Sequence, residues 1–273
     1  MKQAIQHYLV VGTPITQSLS PQIHNAVYQH LVLPRELSAF DPKDKAGFCT
    51  LIQDLRLGDY SGICVTVPYK LEALQACDHL TSTAQRTGAV NYIKREPDGS
   101  LTGDNTDADG FATAAQHELG LNFAGIEAIV CGTGGASRAV VDALRQGGAK
   151  SITLVSRVPA SKSQPVVIDY EQLQQSGLQY DLLVNTTPLG MKDDCMPVSA
   201  RWLMRNVKAV YDVVYRKTGS TPLVATARAA QISAADGRGM LVNQAIRGMD
   251  FWNVQGQSGA DDAAIRTIID ASF

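Results

Sequence analysis

Cysteine is scarce in this sequence, and the spacing of its five copies excludes two kinds of site. The five are Cys49, Cys64, Cys77, Cys131 and Cys195. None forms a Cys-x-x-C pair, and no histidine stands at the short spacing that structural zinc sites require. An odd number of well-separated cysteines is typical of a reducing compartment, where disulfides do not persist. We therefore expect a cytoplasmic protein with no metal and no disulfide framework.

The sequence also lacks long apolar runs and a strong excess of charge of either sign. No stretch approaches the roughly 18 consecutive apolar residues that cross a bilayer, and residues 1–12 lack the apolar centre of a secretory signal. The 24 basic and 26 acidic residues leave a net charge of −2 and are scattered, without basic runs. We therefore expect neither a membrane nor a nucleic acid as partner.

What the sequence has in quantity is short apolar runs that alternate with helical stretches. With 45% apolar residues among 273, the chain can fill the cores of two domains. The predicted strands are Tyr8–Val11, Leu37–Phe40, Gly62–Val67, Ala89–Lys94, Ile126–Cys131, Ser151–Ser156, Asp181–Asn185 and Ala209–Val214. The predicted helices are one that begins with Ser20 as N-cap, then Lys43–Leu57, Leu71–Ala76, Asp107–Leu119, Leu241–Trp252 and Asp261–Ala271. This alternation predicts an α/β fold with two domains, parallel sheets and right-handed crossovers.

A cluster of glycines follows the predicted strand Ile126–Cys131, and an apolar stripe at helical spacing begins at Ala136. Glycine at such a strand-to-helix turn lets backbone N–H groups approach an anion, which the helix N-terminus favours. In the G-x-G-x-x-G pattern, Gly132 and Gly134 match and Ser137 replaces the third glycine. Close packing of strand on helix is the other interpretation. The strand before, helix after and next strand about twenty residues on favour a dinucleotide site.

The end of the next strand bears on which dinucleotide binds. NAD sites usually carry an acidic residue there, which accepts hydrogen bonds from the ribose. This chain has Ser156 and Arg157 instead, with Lys162 nearby. An arginine pairs with a 2′-phosphate, whereas an acid repels it. We therefore predict NADP; the other interpretation is that Arg157 is a solvated surface charge.

Three features of the first half have both a functional and an ordinary interpretation. Ser18 and Ser20 place two hydroxyls at a helix N-terminus, which suits a carboxylate, but Ser20 could also be only an N-cap. Lys70 follows a strand end, where ligands of α/β sheets bind, yet most lysines are solvated. Asp107 falls in the first turn of a predicted helix, where the helix dipole alone favours an acid. Taken separately, none of these features establishes a site.

A series of short motifs runs in order along nearly the whole chain. It comprises GTPITQSLSPQIHN (12–25), VTVPYK (65–70), GAVN (88–91), GDNTD (103–107), GTGGASRA (132–139), VYDVVY (210–215), TPL (221–223) and GMLVNQA (239–245). Each motif is modest, but their order and spacing resemble the shikimate dehydrogenase family. The resemblance implies a two-domain NADP-dependent oxidoreductase that interconverts 3-dehydroshikimate and shikimate, in the chorismate pathway of aromatic amino acid biosynthesis.

The resemblance also implies roles for individual residues. Lys70 and Asp107 match the catalytic pair. The positions that match substrate contacts are Ser18, Ser20, Thr66, Asn91, Tyr215 and Gln244. The positions that match cofactor contacts are Gly132, Gly134, Gly135 and Ala136 at the pyrophosphate, Ser156 and Arg157 at the 2′-phosphate, and Val213 and Gly237 near the nicotinamide. The substrate implied is a small polyhydroxy carboxylic acid.

These assignments set the expected domain organisation. We expect residues 1–106, completed by residues 242–273, to form a substrate-binding and catalytic α/β domain. Residues 107–241 are expected to form a Rossmann NADP-binding domain, and the closing C-terminal helices return to the first domain. The expected assembly is a monomer or a homodimer.

Four departures from the family pattern leave the substrate open. Cys64 replaces the usual asparagine, Tyr92 the usual threonine and Gln17 a common histidine, and Thr186-Thr187-Pro188 varies an Asn-Ala-Thr pattern. A thiol is a poorer hydrogen-bond partner than an amide, so Cys64 changes the surroundings of the lysine. A quinate/shikimate or aminoshikimate dehydrogenase is therefore an alternative. An NADP-binding sensor without catalysis is a further one, against which the lysine and aspartate argue. A methylene-tetrahydrofolate dehydrogenase would leave the serine and glutamine matches unexplained.

Overall fold

The structure is a computed structural model, and it describes residues 4–16, 18–158 and 165–271. Gln17 and Lys162, which were singled out above, lie outside the described residues. Within those ranges the short apolar runs and amphipathic stretches form twelve strands and twelve helices. The predicted α/β class is confirmed.

The described chain divides into two units. The first joins Met1–Asp107 to Val242–Phe273, and the second is Ala108–Leu241. The first unit is therefore discontinuous in sequence, whereas the second is continuous.

The first unit is built on a six-stranded mixed sheet. Its strands are β1 (Gln6–Val11), β2 (Arg35–Phe40), β3 (Gly62–Val65), β4 (His79–Leu80), β5 (Tyr92–Arg95) and β6 (Leu101–Asp104). They lie in the order β2-β1-β3-β5-β6-β4. Its helices are α1 (Ser20–His30), α2 (Lys45–Leu57), α3 (Lys70–Ala76) and α4 (Ser82–Thr87), together with the C-terminal α11 (Val254–Ser258) and α12 (Asp262–Asp270).

The prediction of parallel strands is right for one part of this sheet and wrong for another. β1 pairs in parallel with both β2 and β3. β5 is antiparallel to β3 and to β6. For β5 and β6 the reason is local, since they are joined by a tight turn in which Gly99 has φ +86°, and such a turn can join only antiparallel neighbours.

The second unit is a parallel sheet of six strands. Its strands are β7 (Glu127–Cys131), β8 (Ser151–Val155), β9 (Val166–Ile168), β10 (Tyr180–Asn185), β11 (Val207–Asp212) and β12 (Ser233–Ala235). Their order, β12-β11-β10-β7-β8-β9, is that of a Rossmann sheet. The helices that follow its strands are α6 (Gly135–Gln146), α7 (Tyr170–Gln175), α8 (Ala200–Asn206) and α9 (Pro222–Ala229). The order in which successive strands are added reverses between β7 and β10, which is where such sheets bind ligands.

Two further helices begin in one unit and end in the other. α5 (Asp107–Leu119) starts at the last residue of the first unit, and α10 (Arg238–Phe251) ends inside that unit. α5 is anchored in the core of the second unit by Phe111, whose ring lies 5.7 Å from that of Phe123 and 5.1 Å from that of Tyr211. Burying such aromatic rings stabilises the fold by roughly 2 kcal/mol or more each.

Two predicted boundaries are corrected. Leu19, not Ser20, is the N-cap of α1, and Ser20 is the first helical residue. The Ser18 hydroxyl accepts a hydrogen bond from the Ser20 N–H at 3.3 Å, so the turn before the helix fixes the start. β3 ends at Val65, two residues before the predicted end. The N–H of Thr66 makes a last bond to the carbonyl of Val11 at 2.8 Å, and Pro68 has no N–H with which to continue the ladder.

Candidate functional site

Lys70 and Asp107 form an ion pair that is largely buried. Lys70 is the first residue of α3, and Asp107 is the first residue of α5. Lys70 Nζ donates to Asp107 Oδ2, and the two side chains are 12% and 8% exposed. An ammonium held beside a carboxylate can deliver a proton to an oxygen and recover it.

A frame of amide side chains holds the carboxylate of this pair. Asn91 Nδ2 donates to Asp107 Oδ1 at 2.9 Å, and Asn91 Oδ1 accepts the N–H of Thr106 at 2.8 Å. Asn105 Oδ1 accepts the N–H of Asp107 at 3.2 Å, while its Nδ2 donates to the carbonyl of Ala89 at 3.0 Å. Each oxygen of Asp107 therefore has its own donor, and the side chain is fixed from two sides.

Gln244 joins the same frame from α10. Its Oε1 lies 3.5 Å from Thr106 Oγ1, and its side chain is buried. The structure thus brings together Lys70, Asp107, Asn91 and Gln244, which are far apart in the chain. Asn105 and Thr106 were not predicted as functional side chains. The Asn-x-Asp spacing within GDNTD was the available signal, since an asparagine readily accepts the N–H two residues on.

Ser18, Ser20 and Thr66 all lie in segments that follow the carboxyl ends of strands of the first sheet. β1 and β3 are parallel and end in register, with Val11 opposite Val65, so the segments that follow them leave the sheet at the same end. Thr66 comes directly after β3, and the two serines precede and open α1. Ser18 and Ser20 lie at the N-terminus of the 11-residue helix α1, where the helix dipole favours an anion.

The two departures closest to the lysine in sequence contact each other inside the core. Cys64 and Tyr92 are register partners on the neighbouring strands β3 and β5. The Tyr92 hydroxyl also lies 3.0 Å from His24 Nε2, and His24 Nδ1 lies 3.1 Å from the Tyr28 hydroxyl. Tyr92 and His24 are fully buried. The phenol that replaces threonine is therefore satisfied by protein groups.

Burial keeps this chain of side chains uncharged. Desolvation, together with the nearby Arg35 guanidinium, lowers the pKa of His24 to about 3. Desolvation raises the pKa of the Cys64 thiol to about 12 and that of Tyr92 well above its usual value. Tyr92 also requires a glycine opposite it, since a Cβ on Gly248 would approach its ring to 2.1 Å. No sequence pattern linked His24 to Tyr92, which lies 68 residues away.

The second unit carries the glycine turn at the reversal point of its sheet. Gly132 has φ +112°, and a Cβ there would lie 2.5 Å from Thr186 Oγ1, so only glycine fits. Gly134 is the N-cap of α6, and no side chain forms a capping hydrogen bond there. A Cβ on Gly134 would have no other atom within 4 Å. The N–H groups of Gly135 and Ala136 open the helix. The turn therefore leaves an uncapped helix N-terminus beside open space, which fits a dinucleotide pyrophosphate.

Ser156 and Arg157 follow β8, next to that turn in the sheet order. The N–H of Ser156 donates to the carbonyl of Ile168 at 3.0 Å, and Ser156 Oγ accepts the N–H of Val158 at 3.3 Å. These bonds fix the turn while Arg157 stays exposed. The guanidinium is available to a phosphate at the edge of the nucleotide site.

Val213 and Gly237 meet beyond the carboxyl end of β11. The N–H of Val213 donates to the carbonyl of Asn185 at 2.9 Å, and a Cβ on Gly237 would come within 2.0 Å of the Val213 carbonyl oxygen. Gly237 is therefore required for the close approach of these two segments. Tyr215 lies two residues further on, half-buried, in the loop before α9.

Two other kinds of site were sought in the described ranges. No group of three or more His, Cys, Asp or Glu side chains is placed there to hold a metal ion. No helix in those same ranges is both long enough and apolar enough to span a bilayer.

The sequence and the fold were compared with known proteins. The family model described as shikimate dehydrogenase substrate binding domain matches residues 10–93. The shikimate dehydrogenase (NADP(+)) of Methylobacterium radiotolerans is 36% identical over 270 residues, covering 92% of this chain and 93% of its own. That of Rubrobacter xylanophilus is 35% identical over 258 residues and covers 89% of each chain.

Solved structures agree with the sequence relatives. Shikimate dehydrogenase 1 from Peptoclostridium difficile has a TM-score of 0.88 at 28% identity, covering 98% of this chain and 97% of its own. Shikimate 5-dehydrogenase from Thermus thermophilus, in complex with NADP(H) and shikimate, has a TM-score of 0.81 at 28% identity and covers 98% of this chain and 100% of its own. The similarity therefore extends over nearly the whole length of each protein.

Proposed function

Because the chain belongs to the shikimate dehydrogenase family, we propose that it interconverts 3-dehydroshikimate and shikimate with NADP(H). The observation that carries the proposal is the buried Lys70–Asp107 pair held by Asn91. Reduction of a ring ketone needs a proton donor for the oxygen, and the Lys70 ammonium beside Asp107 can serve as that donor.

The proton chemistry follows from the geometry of the pair. NADPH, when bound, supplies the hydride to the ketone carbon. The Lys70 ammonium donates to the oxygen that becomes the hydroxyl, and in the opposite direction the amine takes that proton back. Asp107 keeps the ammonium oriented and accepts a hydrogen bond from a neighbouring substrate hydroxyl. Asn91 holds the carboxylate in position through its 2.9 Å bond to Oδ1.

The other substrate contacts are proposed from the positions of their side chains and from the family resemblance. Ser18 and Ser20, at the N-terminus of α1, bind the carboxylate of the substrate. Thr66 and Gln244 bind ring hydroxyls, since both carry polar atoms that a polyhydroxy acid can satisfy. Tyr215 is proposed as a further carboxylate contact on the strength of the family resemblance.

The cofactor contacts are proposed for the second unit. The turn formed by Gly132, Gly134, Gly135 and Ala136 holds the pyrophosphate through backbone N–H groups. Ser156 and Arg157 bind the 2′-phosphate, which makes NADP the preferred cofactor over NAD. Val213 and Gly237 contact the nicotinamide. In this proposal residues 1–106 with 242–273 are the substrate-binding and catalytic domain, and residues 107–241 are the NADP-binding domain.

Shikimate is proposed over quinate and aminoshikimate because of where the two departures lie. Cys64 and Tyr92 are buried register partners, and the Tyr92 hydroxyl lies 3.0 Å from His24 Nε2. Both side chains thus lie in the core of the unit, and their replacement of asparagine and threonine adds no exposed polar group for a ligand. We further propose a cytoplasmic enzyme that acts as a monomer or a homodimer.

The test is a substrate and cofactor panel. Purified protein is mixed with shikimate, quinate or aminoshikimate and with NADP⁺ or NAD⁺, and NADPH or NADH formation is followed by absorbance. Turnover of shikimate with NADP⁺ in clear preference to the other pairs is expected. Faster turnover of quinate would overturn the substrate choice. NADPH binding without turnover of any substrate would instead establish a sensor.

A further inference from the structure

Two of the motifs contain polar residues that the proposed reaction leaves without a role. VYDVVY contains Asp212, the last residue of β11, and TPL contains Thr221, the N-cap of α9. Both side chains are fully buried. In the part of the chain that the structure describes, no lysine, arginine or histidine forms an ion pair with Asp212. A carboxylate in this position therefore needs another explanation.

Neutral donors surround the Asp212 carboxylate. Asn185 Nδ2 donates to Oδ1 at 2.9 Å, and the N–H of Val214 donates to the same oxygen at 3.1 Å. Thr221 Oγ1 donates to Oδ2 at 2.7 Å. The carboxylate thus gathers three donors from the end of β10, the start of the following loop and the start of α9.

These bonds close the loop of residues 213–221 at both of its ends. The N–H of Val214, near the start of the loop, and the hydroxyl of Thr221, at its end, both donate to the Asp212 carboxylate. The middle of the loop is held separately, because Arg216 Nε donates to the carbonyl of Gly190 at 2.7 Å. Asp212 therefore determines where the loop leaves the sheet and where it enters α9.

A carboxylate accepts from all three donors in the orientation that each of them has here. An ionised Asp accepts at both oxygens and donates at neither, whereas an Asn turns an NH₂ group toward one of them. That NH₂ would face either the Thr221 hydroxyl or the Asn185 amide, both of which donate here. Desolvation raises the pKa of Asp212 to about 6, so burial works against the charge. The charged form of the Asp212 carboxyl therefore does not favour the folded state of the unit.

We propose that Asp212 is a positioning residue, whose carboxylate fixes both ends of the 213–221 loop and so places Val213 and Tyr215 for their ligands. This inference rests on the proposed function, in which Val213 lies near the nicotinamide and Tyr215 contacts the substrate. Asp212 itself touches neither ligand. Its effect on binding is exerted through the loop.

The principal test compares two aspartates on the same pair of strands. Asp212→Asn removes the charge at the carboxyl ends of β10 and β11. Asp181→Asn, at the opposite end of β10, removes the partner that Lys208 contacts at 2.8 Å. The Kd for NADPH is measured by fluorescence titration, the KM for shikimate by initial rates, and the unfolding midpoint by urea.

Opposite patterns are expected for the two variants. Asp212→Asn raises the Kd for NADPH and the KM for shikimate by roughly tenfold, since a small misplacement of a contact group is enough, and does not lower the midpoint. Asp181→Asn lowers the midpoint and leaves both ligand constants unchanged. Wild-type ligand constants in a folded Asp212→Asn protein would overturn the proposal.

Thr221 provides an independent test if Asp212→Asn fails to fold. Thr221→Ala removes one donor to the carboxylate, and Thr221→Ser keeps it along with the N-cap. We expect Thr221→Ala to raise the Kd for NADPH and Thr221→Ser to restore the wild-type value. Equal Kd values in the three proteins would overturn the proposal.

The two proposals fail in different ways. A wild-type protein that binds NADPH but does not oxidise shikimate would end the proposed function, and the NADPH titration of the variants would still decide the role of Asp212. A wild-type protein that does not bind NADPH would end both.

Discussion

Each of the two units buries an aspartate at or just beyond the carboxyl end of a strand, and the groups that surround the two carboxylates differ in charge. Asp107 in the first unit is paired with the Lys70 ammonium and is fixed by Asn91. Asp212 in the second is surrounded by uncharged donors and has a raised pKa. In our proposals the first arrangement serves proton transfer, and the second fixes the ends of a loop. Burial of a charge alone does not reveal which of the two tasks it serves.

Removing the cation from the first unit should have the largest effect. Lys70→Ala is expected to lower kcat by on the order of 10³-fold or more, because it removes the proton donor, while the KM for shikimate changes much less. Steady-state kinetics measure both constants. Lys208→Ala, which breaks an exposed lysine–aspartate pair, is the control and should leave kcat unchanged. A mild fall in kcat for Lys70→Ala would remove the lysine from the chemistry.

The unpaired carboxylate should be visible in the pH dependence of stability. The folded-state pKa of Asp212 is about 6 against an ordinary 3.8, so between these values the folded protein holds more protons than the unfolded one. The wild-type free energy of unfolding therefore falls as pH rises through this window, by at most about 3 kcal/mol for a shift of this size. Urea unfolding of wild type and Asp212→Asn from pH 4 to 7 measures the difference, which should shrink toward low pH. Parallel curves would contradict the assignment.

The exposed charge of the second unit should affect cofactor choice only. Arg157→Ala is expected to weaken NADPH by roughly tenfold and NADH hardly at all, because a charge-assisted hydrogen bond to phosphate contributes about 1.5–3 kcal/mol. Fluorescence titration with both cofactors measures the ratio. Arg145→Ala, another exposed arginine of this unit, is the matched control. Equal losses for the two cofactors in Arg157→Ala would show that the arginine is structural.

The smallest effect on catalysis is expected from the buried phenol of the first unit. Tyr92→Phe leaves His24 Nε2 without its partner at 3.0 Å, which should reduce the free energy of unfolding by about 1–2 kcal/mol. The KM for shikimate should stay within about threefold, since the hydroxyl is bonded to protein groups. Tyr69→Phe, which removes a hydroxyl that lies 3.0 Å from Thr13 Oγ1, is a matched control for stability. A large rise in KM for Tyr92→Phe would place the phenol at the ligand instead.

Local patterns predicted those parts of the molecule that local interactions determine. The apolar run before Gly132 and the stripe after it are enough to predict a strand, a turn and a helix, and all three are confirmed. Gly120 and Gly148, which follow the ends of α5 and α6, both have positive φ, as glycines beyond a helix end commonly do. The direction of β5 was missed because it depends on pairing with β3, about thirty residues away, and the sequence pattern carries no register.

The candidate site likewise combines residues that the local sequence indicates with contacts that only the fold establishes. Lys70 and Asp107 could each be noticed for their position, but their contact spans 37 residues and only the fold establishes it. The hydrogen bond between His24 and Tyr92 spans 68 residues, and nothing local to either residue indicates it. The short strands β4, β9 and β12 were also missed, because two or three residues are too few to show alternation. The roles proposed for the site residues remain predictions.

The discontinuity of the first unit has a consequence for how the chain is made. The centre of the Trp252 ring, from the C-terminal segment, lies 4.6 Å from that of Tyr8 and 4.7 Å from that of Tyr92. The backbone carbonyl of Trp252 accepts a hydrogen bond from the Arg35 guanidinium. A ribosome therefore completes the whole second unit before it delivers the residues that finish the first core. Until then the early-made strands lack a partner for their aromatic face. The continuous unit is expected to acquire its structure first, and the half of the protein that is synthesised earliest is finished last.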